Sequence, residues 1–128
     1  MIAIATALLL AGAPDSVWAR AQPITITMTD HGFVPRRVVM RRGAPYVLRV
    51  VNRSGKGHNL TQTAFFDSAR VAPADRPLAG DGKIVVPAGG RASVRLFAPM
   101  TRPGGTYQFS STVLADADDD YKGVFAIR

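Results

Sequence analysis

The stretch Ile24-Thr25-Ile26-Thr27-Met28-Thr29 alternates strictly between apolar and hydroxyl side chains. Successive side chains of a strand point to opposite faces, so this reading buries Ile24, Ile26 and Met28 and wets the three threonines. A slip of one residue would turn the whole apolar row outward, which specifies the register. The same rhythm returns along the chain, and residues 38–41, 46–52, 58–61, 83–86, 92–97, 106–111 and 123–127 read as further strands. Turn residues separate them: Arg42-Gly43-Ala44-Pro45, the polar loop 52–57, Gly80-Asp81-Gly82, Pro87-Ala88-Gly89-Gly90 and Pro103-Gly104-Gly105. No helix start follows these glycines, so they are not phosphate loops. Residues 63–69 are expected to form one or two helical turns with Phe65 or Phe66 packed beneath, and residues 72–81 an irregular, Pro-rich connection. About eight strands with mostly short links predict an all-β, Greek-key β-sandwich with one short helical connection.

Composition narrows the function. The 128 residues include no cysteine, which excludes disulfides, zinc–thiolate sites, iron–sulfur ligation and thiol nucleophiles. Residues 1–13 are an apolar run, and Ala19-Arg20-Ala21 has the small-x-small pattern of signal-peptidase cleavage. The expected organisation is a signal peptide over 1–21 and a single domain over 22–128, giving a periplasmic or secreted protein that lacks Trp18 once processed. The apolar run is shorter than the roughly 20 residues of a spanning helix, so an integral membrane protein is not expected.

The net charge is +7, from 16 Lys and Arg against nine acidic residues, all of them Asp. Arg36, Arg37, Arg41, Arg42, Arg49, Arg53 and Lys56 crowd one stretch. This run reads either as a solvated face or as a surface that attracts an acidic protein partner or an anionic membrane. Nucleic acid is not expected, because no aromatic residues interleave with the basic ones. Near the other end, Asp116, Asp118, Asp119 and Asp120 form a run expected to stay wet or to be balanced by a cation or by basic neighbours.

Phe33-Val34-Pro35, the loop ending Gly57-His58-Asn59, the run Gly105-Thr106-Tyr107-Gln108-Phe109 and the closing Gly123-Val124-Phe125-Ala126-Ile127 occur in an order that resembles the cupredoxins. That resemblance implies that His58 stands where the family has its first copper ligand. It also implies Ser111 where the cysteine would fall, the second histidine position within residues 113–116, and Tyr121 where the weak axial methionine would fall. A type 1 site needs two imidazoles and a thiolate, and serine is too hard and too weak a donor to replace the sulfur. Ser111 and Tyr121 are therefore vestigial ligand positions, and a blue-copper electron carrier is not expected.

Two readings follow. In the first, the chain is an exported, non-redox binding or interaction module that requires no cofactor. In the second, His58, His31, Asp116, Asp118, Asp119 and Asp120 form a nitrogen and oxygen site that binds or delivers Cu(II) or another divalent cation. A lone His58 would otherwise be held by hydrogen bonds at the loop edge. The aspartates do not follow the EF-hand spacing. Ser110 and Ser111 lie in no nucleophile elbow, so an enzyme is not expected.

Overall fold

The computed structural model describes residues 15–128. The apolar part of the expected signal peptide, residues 1–13, lies outside the described residues. What is described of that segment is a short helix, α1 (Asp15–Ala19), followed at once by β1 (Gln22–Met28). The remaining strands are β2 (Phe33–Val34), β3 (Arg37–Met40), β4 (Pro45–Asn52), β5 (His58–Thr61), β6 (Arg70–Val71), β7 (Lys83–Val86), β8 (Arg91–Phe97), β9 (Thr106–Ser110) and β10 (Lys122–Ile127). They form two five-stranded sheets, in the orders β2-β1-β4-β8-β6 and β3-β10-β9-β5-β7. The fold is an all-β sandwich, as the alternating pattern predicts. The two extra strands have only two residues each, too short for a periodic signal in the sequence.

Each sheet is mixed. β1 runs parallel to β4 and β3 parallel to β10, while the other ladders are antiparallel. Within β1, Ile26 and Met28 are fully buried, Ile24 packs against the core from its edge and Thr25 is exposed. Leu48 and Val50 of β4, Val94 and Leu96 of β8, and Phe109 and Phe125 of β9 and β10 complete the interior. Each such side chain is worth about 1.5–3 kcal/mol relative to exposure, so the sandwich has a core without disulfide staples.

The helical connection is α2 (Thr63–Ser68), capped by the Gln62 side chain accepting from the Ala64 N–H. Phe65 and Phe66 are both buried beneath it, and Phe65 stacks on Phe125 at 4.0 Å. Residues 73–82 are tight 3₁₀ turns broken by a kink at Ala79, Gly80 and Asp81. Gly82 ends this segment with φ of 73°, close against Thr63, so a side chain there would meet both steric and backbone strain. Among the described residues no helix is long and apolar enough to cross a membrane.

Candidate functional site

His58 is the first residue of β5 and pairs with Val86 of β7, at the sandwich end where Tyr121 and residues 111–121 also lie. Its ring is 2% exposed. Nδ1 lies 2.7 Å from Asp116 Oδ2, and Nε2 lies 2.8 Å from Ser54 Oγ. The Ser111 hydroxyl donates to the same Asp116 oxygen at 2.5 Å. Tyr121 stacks on the His58 ring with centroids 4.5 Å apart, and Phe33 meets Tyr121 edge-on at 4.8 Å. The Tyr121 hydroxyl points away from the imidazole and donates to the Thr29 carbonyl at 2.6 Å.

Short-range structure sets up each member. Asn52 closes β4 and its Nδ2 donates to the Lys56 and Val86 carbonyls, tying one sheet to the other. That leaves Asn52 Oδ1 to accept from the Ser54 N–H at 2.9 Å and the Ser54 hydroxyl at 2.7 Å, an Asx turn that folds the loop back onto His58. On the other side, the Ser111 N–H donates to the Tyr121 carbonyl and closes the base of the acidic loop. A 3₁₀ turn at Leu114–Asp116 then carries the Asp116 carboxylate inward. Asn59 holds this loop to β5 by donating from Nδ2 to Thr112 Oγ1 and accepting from the Thr112 N–H.

The donor pattern defines the chemistry. Ser54 Oγ faces two oxygen acceptors, Asn52 Oδ1 and the Lys56 carbonyl, but has one proton to give. Its remaining capacity is for accepting, so His58 Nε2–H donates to it while Nδ1–H donates to Asp116. Both ring nitrogens therefore have a partner, and no buried side-chain donor or acceptor is left unmatched among the described residues. Ser54, His58 and Asp116 have the connectivity of a hydrolytic triad, but a general base needs a ring lone pair aimed at the hydroxyl proton. Here that proton is engaged elsewhere and the ring is covered by Tyr121.

The same geometry tests the fit of copper. The serine, the carboxylate and the imidazole are already bonded to one another, and the phenol is turned to the backbone. Both nitrogens of His58 are occupied and no sulfur is within the set, so these residues do not fit a type 1 copper ion.

The sequence-selected residues separate into two groups. His58, Asp116, Ser111 and Tyr121 come together. His31, Asp118, Asp119 and Asp120 are exposed, and among the described residues none of their side chains hydrogen-bonds His58. The His31 side chain makes no hydrogen bond among the described residues, although its N–H donates to Thr29 Oγ1. Asp120 pairs with Arg36 at 2.8 Å on the surface. Among the described residues no group of three His, Cys, Asp or Glu side chains could hold a metal ion. Of the two expectations for the acidic run, Asp118, Asp119 and Asp120 follow the wet one, whereas Asp116 is 4% exposed and its carboxylate is matched by the His58 ring. Asn52 and Ser54 were missed by sequence reading, although the Asn52-Arg53-Ser54 spacing carries the Asx-turn signal.

The basic run is not one patch either. Arg36 binds Asp120, Arg42 donates to the Met100 carbonyl, and Arg49 projects from the opposite sheet.

Burial pushes the Tyr121 phenol well above its usual range, with the Asp116, Asp30 and Asp119 charges adding in the same direction. At a different site, the Arg95 side chain bonds Asp75 at 2.8 Å and holds its carboxyl below the ordinary value of 3.8.

Comparison with solved structures gives the fold its class. No family model matches the chain, and no curated protein sequence does. The fold is that of the cupredoxins. The dithionite-reduced auracyanin of Roseiflexus castenholzii is similar with a TM-score of 0.61 and 19% identity, over 84% of this chain and 98% of that one. Auracyanin B gives 0.60 and 18%, over 84% and 89%. An azurin from Methylomonas sp. strain J gives 0.56 and 14%, over 84% and 98%.

Proposed function

We propose that the chain is an exported, non-redox binding module built on the cupredoxin fold. The observation that carries this reading is the bonding of His58. Both of its ring nitrogens are committed, to Asp116 and Ser54, where the resemblance implies the first metal ligand. Hydrogen bonds hold together the loop end that ligand–metal bonds hold in a cupredoxin, so the loops keep their shape with no ion. A shaped, rigid loop end on a strongly cationic body is suited to binding rather than to electron transfer.

Titration calorimetry of the untagged chain with Cu(II) and with Zn(II) tests the reading. The expected result is no stoichiometric uptake, no intense thiolate absorption band and no reversible one-electron potential. Near-stoichiometric uptake that weakens at least tenfold in His58→Ala would replace it with metal handling through His58 and the neighbouring aspartates.

A further inference from the structure

Two boundaries coincide between residues 21 and 22. The hydrogen bonding of α1 and its last turn ends at Ala21, whose N–H donates to the Trp18 carbonyl, and the β1–β4 ladder begins at Gln22, paired with Tyr46. A cut after Ala19-Arg20-Ala21 therefore removes no residue from either sheet. It makes Gln22 the amino terminus of the exported chain.

An amino-terminal glutamine carries a nucleophile and its electrophile in one residue. Gln22 is exposed, and its carboxamide makes no hydrogen bond among the described residues, so the side chain is free to fold back on its own amine. Pro23 follows and has no N–H to give to the ladder. The next main-chain donor is that of Ile24, which leaves the first residue room to turn.

The surroundings of Gln22 favour the reactive form of that amine. Gln22 lines a recess of about 220 Å³ together with Arg41, Ala44, Pro45, Tyr46 and Arg128, and Arg20, which also lines it, leaves with the leader. No acidic side chain lines the recess, and an α-ammonium there would face the Arg41 and Arg128 guanidinium groups. Like charges disfavour the charged form, and the uncharged amine is the nucleophile.

We propose that the exported chain carries a pyroglutamate at position 22, formed by closure of Gln22 on itself. The α-nitrogen attacks the side-chain carbonyl carbon Cδ and a lactam N–Cδ bond forms. The Cδ–Nε2 bond breaks, and ammonia departs with the proton that the amine gives up. Both reacting groups belong to one residue, so the step has the advantage of an intramolecular attack and needs no second reactant. The inference rests on the reading of the chain as exported and goes beyond its binding role. The product has neither a charge nor a primary amine at its terminus, which closes the start of β1 to aminopeptidases.

The test is export of the full, untagged chain from a bacterial host with its own leader. The product is incubated overnight at neutral pH, its intact mass is measured, and its amino-terminal tryptic peptide, residues 22–36, is sequenced by tandem mass spectrometry. The expected mass is that of residues 22–128 less one ammonia, with the loss assigned to residue 22. Q22N keeps a side-chain amide but could close only a strained four-membered ring, so it should begin at the same residue with its full mass. The substituted side chain is exposed, so the sandwich does not depend on it.

A product that begins at Gln22 and retains its ammonia overturns the proposal while leaving export in place, and so does a product that begins at another residue once the leader is removed. A loss of ammonia that persists in Q22N lies at another amide and also overturns it. A product that keeps residues 1–21 overturns the proposal and the export reading together.

Discussion

Asp116 and Asp120 stand four residues apart in one acidic loop and meet their nitrogen partners at nearly the same distance, 2.7 Å to His58 and 2.8 Å to Arg36. The side chains of the first pair are 2% and 3% exposed, and those of the second 50% and 75%. Equal geometry therefore has unequal meaning. In water the charges of the outer pair are screened and each residue is solvated whether or not the other is present. At the buried pair neither group has water to return to, so each is the condition for the other's burial. Ser54 and Ser111 extend this dependence by spending hydrogen bonds on the two partners.

The largest effect should come from breaking the inner pair at one member. Asp116→Ala leaves the His58 ring buried beside an unfilled acceptor position and should cost about 3–5 kcal/mol, read as a lowered denaturant midpoint at unchanged slope. A double variant sharpens the point. His58→Phe with Asp116→Leu removes both polar partners, and stability should recover most of the loss, since apolar replacement of a buried pair is often neutral or favourable. A cost below about 1 kcal/mol for Asp116→Ala, the range of an exposed pair, would show that water reaches this loop end and that the two aspartates are alike.

This inner pair also marks where the sequence stops being readable. The alternation at residues 24–29 and the turn residues between strands report local geometry, so the sandwich, the helical turn over Phe65 and most strand limits follow from them. The two-residue strands and the parallel pairing of β1 with β4 depend on contacts distant in sequence and leave no periodic trace. The loop end was legible as a set of positions, His58, Ser111 and Tyr121, only through a resemblance. Which aspartate turns inward was not, because the run 118–120 is chemically the same as Asp116. The choice is made by the Val113-to-Asp116 turn and by where the imidazole sits across the sandwich, 58 residues earlier. The basic run divides for a related reason, since a stretch that crosses from β3 through β4 places its arginines on both sheets.

A smaller effect tests the wall of the inner site. The Tyr121 phenol is neutral and its proton is held by the Thr29 carbonyl, with burial and then Asp116 opposing ionisation. A value raised by folding means that the stability it contributes is complete below the unfolded phenol value, 10.0, and is lost as pH rises above it. Near neutral pH the unmodified chain should exceed Tyr121→Phe by about 1 kcal/mol from the hydroxyl's hydrogen bond. That margin should shrink as pH climbs past 10, and the phenolate absorbance of the folded chain should rise later than that of the unfolded chain. A margin that stays constant through alkaline pH would mean that Tyr121 is not sealed against His58.

The smallest effect belongs to the outer pair and completes the contrast. Asp120→Asn removes the charge that Arg36 meets at 2.8 Å but strands nothing, because both groups stay in water. The expected change in stability is about 0–1 kcal/mol and should vanish in high salt. At Asp116 the corresponding loss should persist in salt, since ions do not enter a site whose side chains are nearly inaccessible. Salt dependence therefore separates the two pairs even if their magnitudes overlap. A salt-insensitive loss at Asp120 as large as that at Asp116 would place the whole acidic run in one coupled network, and the division of the loop into a sealed half and a wet half would fall.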